Sequence, residues 1–190
     1  MDEDDVVLFF FSMHGDQIDD KAPFDEPDGK DEYLVPFDYN QSDNNTALLD
    51  DELADAFRQL RANHIAIIVE SCHSGGMVDG TMDLQQDGRV IMMSAAADET
   101  SGPLFLFNRW IFPFYVTQGL KGFADANNDD IVTAEEVFNF ARLPTTLHSI
   151  TTWIALFIHP FVQPHLQHPQ LFDGYPTLFD NSAELPMLRL

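Results

Sequence analysis

Two short apolar runs set the pattern of this chain. One is Val6–Phe11; the other is built from Ile65, Ile67, Ile68 and Val69. Continuous β-branched and aromatic runs of this length predict strands, and the second has the pattern of a strand buried on both faces. Each run stops abruptly in a polar cluster, Ser12-Met13-His14-Gly15 after the first and Glu70-Ser71-Cys72-His73-Ser74-Gly75-Gly76 after the second. Open α/β sheets keep their chemistry outside the carboxyl ends of the strands. Two neighbouring parallel strands would bring His14 and Cys72 to one sheet edge. Leu49, Leu53, Phe57 and Leu60 recur at helical spacing and predict a helix over Asp50–Asn63, with Asp50, Asp51 and Glu52 in its first turn and Arg58 and Arg61 in its last. Arg89–Ser94 predicts another strand. Gly75–Gly88 reads as a loop or short helix whose paired glycines allow a tight turn. Pro103–Leu120 and Glu135–Leu143 read as helices. Asp16–Asp43, rich in Asp, Pro and Gly, reads as a long loop that is solvated, holds a cation or walls a cleft.

Cys72 is the only cysteine, so neither an internal disulfide nor a thiolate metal cluster is available. A lone thiol is commonly a buried, inert group. The residues around this one are poor core material, which points to a reactive thiol, and a reactive thiol needs a base such as His14. With 190 residues, 45% of them hydrophobic, the chain suits one domain with a full core. The net charge is −23, from 32 acidic against 9 basic residues, and 18 of the acids lie in the first 55 positions. That balance excludes nucleic acid as a partner, because phosphate binding needs clustered Lys and Arg. Met1 is followed by four acids, so no signal peptide is visible. No stretch reaches the roughly 18 uninterrupted apolar residues of a membrane span. Thr151–Val162 comes nearest, is broken by His159 and Pro160, and reads as core or interface. These features describe a soluble chain and leave its compartment and oligomeric state open. His148, His159, His165 and His168 have no helical ligand spacing and read as ordinary polar residues.

Asp125–Glu136 carries a second pattern. Side-chain oxygens fall at loop positions one, three and five (Asp125, Asn127, Asp129). Ile131 offers a carbonyl at seven, Thr133 an oxygen at nine, and Glu136 a carboxylate at twelve. This is the EF-hand ligand order, and an all-oxygen set suits Ca²⁺. The departure is Asp130 at position six, where the sharp turn wants Gly; Asp tolerates the left-handed conformation better than most residues.

His-Gly at the end of one strand and Glu-Ser-Cys-His-Ser-Gly-Gly at the end of a later one resembles the caspase-like clan of cysteine peptidases, which includes caspases, metacaspases, paracaspases and legumains. The acidic text Asp19–Asp38 resembles the linker of metacaspases and their microbial homologues, and the His-to-Cys order and spacing of roughly fifty-odd residues agree. The resemblance covers about Asp5–Phe140. It extends weakly to Gln167–Tyr175, which is similar to a closing segment of microbial relatives. Met13 departs from the Gly, Ser or Asp that relatives carry before the His. The resemblance implies a three-layer α/β caspase-like fold, a mostly parallel sheet flanked by helices. The chain begins at what would be the second strand, so the usual first strand and helix are missing. Residues 1–143 would be the catalytic domain, including the loop 125–136, and 144–190 a C-terminal segment packing on it. The loop itself resembles dockerin-like or EF-hand repeats found in microbial caspase-like and legumain-like proteins.

What the resemblance implies chemically is a cysteine endopeptidase with Cys72 as nucleophile and His14 as general acid and base, acting through a thioester on a peptide or protein substrate. The oxyanion hole would be the backbone N–H groups of Gly15 and Cys72. His73 would be structural or line the pocket. Glu70 would share a face with Cys72, as alternate strand residues do, and line the pocket for the residue before the scissile bond (P1). A carboxylate there favours Arg or Lys, with Asn as the alternative. Asp98, with Glu99 and Ser101 beside it, is a further pocket candidate. Ca²⁺ is the one cofactor expected, with no organic group. Rival readings are an inactive or truncated calcium-binding interaction module and a transamidase of the same clan.

Overall fold

Alternation along Val6–Ser12 (β1) explains how the sheet is covered. Val7, Phe9 and Phe11 are partly buried against the core, while Val6, Leu8 and Phe10 on the opposite face are about half exposed. In the computed structural model, which describes residues 3, 5–22, 24–43, 46–81, 83–104, 109–156, 166–180 and 182–190, β1 pairs in parallel with His64–Glu70 (β5). β5 pairs in parallel with Arg89–Met93 (β6), and β6 pairs antiparallel with Gln170–Asp173 (β10). The sheet order is β1-β5-β6-β10.

Successive side chains of β5 and β6 go to opposite faces, and each face meets helices. Ala66, Ile68, Val90 and Met92 pack with Phe112 and Val116 of α2 (Ile111–Gln118) and Val137 and Ala141 of α3 (Ala134–Leu156). Ile65, Ile67, Val69, Ile91 and Met93 pack with Leu53, Ala54 and Phe57 of α1 (Asp50–Phe57). Helices on both faces of a mainly parallel sheet are the three-layer α/β arrangement expected of the caspase-like fold. No helix among the described residues is long and apolar enough to cross a membrane.

Several elements differ from the sequence expectation. The stretch 16–43 is not one long loop. Gly15–Asp19 (β2) and Lys30–Leu34 (β3) form an antiparallel hairpin, and Leu48–Leu49 (β4) pairs with β3. The strand signal was masked because β3 buries acids, Asp31 and Glu32, beside Tyr33 and Leu34. α1 ends at Phe57 rather than Asn63, because the chain must reach the start of β5 at His64. Arg58 is its C-cap, and Arg61 lies beyond the helix. Pro103–Leu104 (β7) and Arg109–Trp110 (β8) form a two-stranded hairpin before α2, so the helical reading of 103–120 holds only for its second part. α3 runs through Pro144 to Leu156, well past Leu143. The Thr145 hydroxyl donates to the Ala141 carbonyl at 2.8 Å one turn back, giving that stretch of helix a hydrogen bond where proline cannot. The stretch 151–162 begins in α3; its part beyond residue 156 lies outside the described residues, as do His159 and His165. The C-terminal Pro186–Arg189 (β11) pairs antiparallel with Ile131–Thr133 (β9).

Candidate active site

The β1·β5 register ends at Ser12 opposite Glu70, and the Met13 N–H donates to the Glu70 carbonyl at 3.1 Å. His14 and Cys72 therefore leave the sheet level with one another, each two residues past the last pair. Gly15 closes the gap between the two strand ends. A Cβ added there would lie 2.5 Å from the Cys72 carbonyl oxygen and 2.9 Å from the Ser71 Cβ, so only glycine fits. The His14 carbonyl accepts from the Val35 N–H at 2.9 Å, which directs the chain into β2. His14 is exposed and Cys72 half-buried. Burial pushes the Cys72 thiol up from its ordinary pKa; the Ser101 backbone N–H opposes this, while the charges of Glu70 and Asp16 add to it. The resting group is a neutral thiol, so its activation needs a base.

Glu70 is only 1% exposed. The Ser101 hydroxyl donates to its Oε1, and Oε2 has no hydrogen-bond partner. Burial drives its pKa up to about 8, against the pull of the Ser101 and Ser94 hydroxyls. It thus sits deep beside the strand end with one oxygen unpaired. Asp98 is exposed in the loop 95–100, whereas Ser101 turns inward onto Glu70 and Glu99 is partly buried. The turn after Cys72 is not made by its glycines. His73 takes the left-handed conformation (φ 60°, ψ 15°), followed by a short 3₁₀ helix over Ser74–Val78. Gly75 and Gly76 serve close packing instead: a Cβ at Gly75 would meet Ala97 N at 2.8 Å, and one at Gly76 the Glu32 carboxyl carbon at 2.1 Å.

Acidic side chains converge next to this turn. The ligand oxygens of Asp25, Glu26 and Asp83, of Glu26, Asp28 and Asp79, and of Glu26, Asp31 and Asp50 each lie within 4.8 Å of one another. Glu26 is pushed up to about 10 and Asp83 to about 6, by burial first and neighbouring carboxylates second. Glu26 Oε2 and the buried Asp83 Oδ1 have no hydrogen-bond partner. An all-oxygen set of this kind fits a hard cation. A cation site in 16–43 is one of three readings the sequence leaves open, and none of them includes Asp50, Asp79 or Asp83, which come from other segments.

The loop 125–136 is built differently. Asp125 accepts the N–H groups of Asp129 and Asp130, Asn127 that of Asp129, and Asp129 that of Ile131. Glu136 accepts from Ala126 N at 3.1 Å and Thr133 N at 3.2 Å, and Thr133 Oγ1 accepts from Glu136 N, a reciprocal capping box at the start of α3. Asp130 adopts φ 66°, the conformation position six requires. The Ile131 segment is held by β11, and the Thr133 hydroxyl donates to Glu184 at 2.8 Å. The donor chemistry suits Ca²⁺, but this loop's carboxylates are not among the groups that converge within 4.8 Å.

The part of the chain that holds both strand ends resembles known proteins. Residues 1–81 match the family model of the metacaspase, peptidase C14 domain. Metacaspase III c of Phaeodactylum tricornutum is 35% identical over 92 residues, 47% of this chain and 26% of that protein. Metacaspase-7 of Arabidopsis thaliana is 33% identical over 76 residues, 40% of this chain and 17% of that protein. The matches thus span about a quarter or less of these relatives' length. A solved structure from Geobacter sulfurreducens, 16% identical, covers 90% of this chain and 67% of its own with a TM-score of 0.51, a likeness of fold. In its first 81 residues, which include both strand ends, the chain is similar to the metacaspase peptidase domain, and its layers have the caspase-like arrangement.

Proposed function

We propose that the chain carries the core of a cysteine endopeptidase of metacaspase type. The observation that supports this most is the register that sets His14 level with Cys72, with Gly15 pressed against the Cys72 carbonyl. His14 takes the proton from Sγ as the sulfur attacks the scissile carbonyl carbon. The N–H groups of Gly15 and Cys72 receive the oxyanion. The C–N bond breaks, the His14 proton passes to the leaving amine, and a thioester remains. His14 then takes a proton from water, the hydroxide attacks the thioester, and the thiol is regenerated with a carboxylate product. Catalytic hydrogen bonds often close only around substrate, so the dyad need not be joined at rest.

Glu70 would read P1. Its unpaired oxygen and raised pKa describe a carboxyl that a cation would ionise. Arg or Lys therefore suits it best, Asn could accept and donate, and Asp, an anion, would keep it protonated rather than ionise it. Asp98, exposed on the adjoining loop, would add negative potential at the rim. The loop 125–136 would take one Ca²⁺ through Asp125, Asn127, Asp129, Ile131, Thr133 and Glu136, bracing α3. The carboxylates around Glu26 favour a second cation position, because oxygens from distant segments converge there and two of them, Glu26 Oε2 and Asp83 Oδ1, have no hydrogen-bond partner.

One experiment separates these readings from an inactive module: peptide substrates differing only at P1, tested on wild type, Cys72→Ala, His14→Ala and Glu70→Gln. Either dyad variant should lose about 10⁴-fold or more in turnover, because the pair acts as a unit. Cleavage should be fastest after Arg or Lys, and Glu70→Gln should erode that preference. Persistent turnover in Cys72→Ala, or fastest cleavage after Asp, would refute the assignment.

A further inference from the structure

The residue after the thiol is tied down from several sides. The His73 N–H donates to the Glu99 carbonyl at 2.8 Å, and its own carbonyl accepts from Gly76 N–H at 3.0 Å. Its ring Nδ1 lies 2.7 Å from the Ala97 carbonyl oxygen. A carbonyl can only accept, so Nδ1 carries the hydrogen; the bond assigns the tautomer. His73 is one of four non-glycine residues with positive φ among those described. A residue held there needs surroundings that over-determine it.

The Ala97 carbonyl has a second donor. Gln17 Nε2 reaches it at 3.3 Å and also donates to Glu32 Oε1 at 2.5 Å. Gln17 lies in β2, three residues after His14. One carbonyl oxygen therefore joins the hairpin that follows the base to the turn that follows the nucleophile. The loop bearing Ala97 is clamped in turn. Glu99 Oε2 accepts from Ala96 N–H at 3.1 Å and His168 N–H at 2.7 Å, and Glu99 Oε1 accepts from His168 Nδ1. That clamp comes from the C-terminal segment, outside the residues that match the metacaspase domain.

We propose that His73 and Gln17 are positioning residues, which through the Ala97 carbonyl lock the Cys72 turn to the His14 hairpin, with the Glu99–His168 contact holding the loop between them. The inference rests on the peptidase reading above. His73 holds its Nδ1 hydrogen on the Ala97 carbonyl. It acts through the backbone, by fixing the turn on which Sγ stands. A displacement of about 1 Å between reacting groups can cost roughly 100-fold in rate.

The test compares His73→Gly, which accepts the left-handed conformation without the ring donor, with His73→Asn, which accepts it and restores an amide donor. Gln17→Leu removes the other donor. Each is compared with wild type for kcat and KM on a fluorogenic peptide, for the rate of Cys72 alkylation by iodoacetamide, and for melting temperature. Because Cys72 is the sole cysteine, alkylation reports on one group. His73→Gly should lower kcat by about 10- to 100-fold, with KM within about twofold, and change the alkylation rate. His73→Asn should recover most of both losses, and Gln17→Leu should lower kcat less. Wild-type kcat in folded His73→Gly, or no recovery in His73→Asn, overturns the proposal. If Cys72 alkylates normally but the chain cleaves no peptide, the peptidase reading fails instead. The alkylation rates alone then decide: a change rescued by Asn upholds the positioning role, and equal rates overturn it.

Discussion

The carboxylates around Glu26 and those of the 125–136 loop differ in what meets their oxygens. In the loop, ligand side chains lie one or two residues apart and accept backbone N–H groups of the same loop. Around Glu26 the acids arrive from the β2–β3 turn, β3, the first residue of α1 and the segment after the 3₁₀ helix; Asp31, Asp50 and Asp83 accept backbone N–H groups there too, but Glu26 Oε2 and Asp83 Oδ1 have no hydrogen-bond partner. Asp50 is pushed up to about 8 and Glu26 to about 10, chiefly because burial strips water from them and like charges stand nearby. The loop is an oxygen pattern written in local spacing; the cluster is one written in the fold. Asp125, Asn127, Asp129 and Glu136 already accept N–H groups of their own loop.

That contrast can be broken most directly at the cluster. Millimolar Ca²⁺ should raise the melting temperature by roughly 5–10 °C, the shift expected when a ligand at about 100 times its Kd binds only the folded state. Glu26→Gln should melt higher than wild type in chelator, because the folded chain no longer holds a partly buried carboxyl protonated that the unfolded chain would ionise, and should lose most of the Ca²⁺ response. Equal responses in wild type and variant would move the cation elsewhere.

A smaller effect is expected at Glu70, a buried carboxyl outside the cluster. Its folded pKa of about 8 lies above the ordinary 4.5. Between those values the folded protein keeps a proton that the unfolded chain has released. Its contribution to stability is therefore fully present below about pH 4.5 and lost as pH rises through 8. Glu70→Gln cannot titrate, so its melting curve in chelator should lie flatter than wild type between pH 5 and 8.5. Parallel curves would show that Glu70 is ionised throughout.

The smallest effect belongs to the loop. Asp130→Gly removes a left-handed penalty of about 1 kcal/mol that the folded chain carries without an ion, so it should melt a few degrees higher while calorimetry still shows the Ca²⁺ heat of wild type. Glu136→Gln should abolish that heat while lowering the melting temperature by only a few degrees, since one oxygen remains to cap α3. If Glu136→Gln binds like wild type, the loop is a structural turn.

How far the sequence could be read follows the same division. Strands ending at Ser12 and Glu70, the start of a helix at Asp50 and the spacing of Asp125–Glu136 are local patterns, and they were legible. The β2–β3 hairpin was not, because Asp31 and Glu32 occupy buried positions where a strand signal expects apolar residues. The turn after Cys72 was assigned to Gly75 and Gly76, since glycine is the usual signal; the left-handed residue is His73, and the glycines are there because Ala97 and Glu32 press against them.

By itself the sequence determined which side chains stand at the strand ends and in what order, because periodicity and turn chemistry act over a few residues. Tertiary structure alone decided that β1 and β5 are neighbours in a register that levels His14 with Cys72, that Glu70 is buried against Ser101, and that Glu26 meets Asp83. It also brought the returning segment's Gln170–Asp173 against β6 and His168 against Glu99. Those contacts join residues tens of positions apart. Their energies come from burial and from hydrogen bonds completed only when distant segments pack, and no short stretch of sequence carries that information.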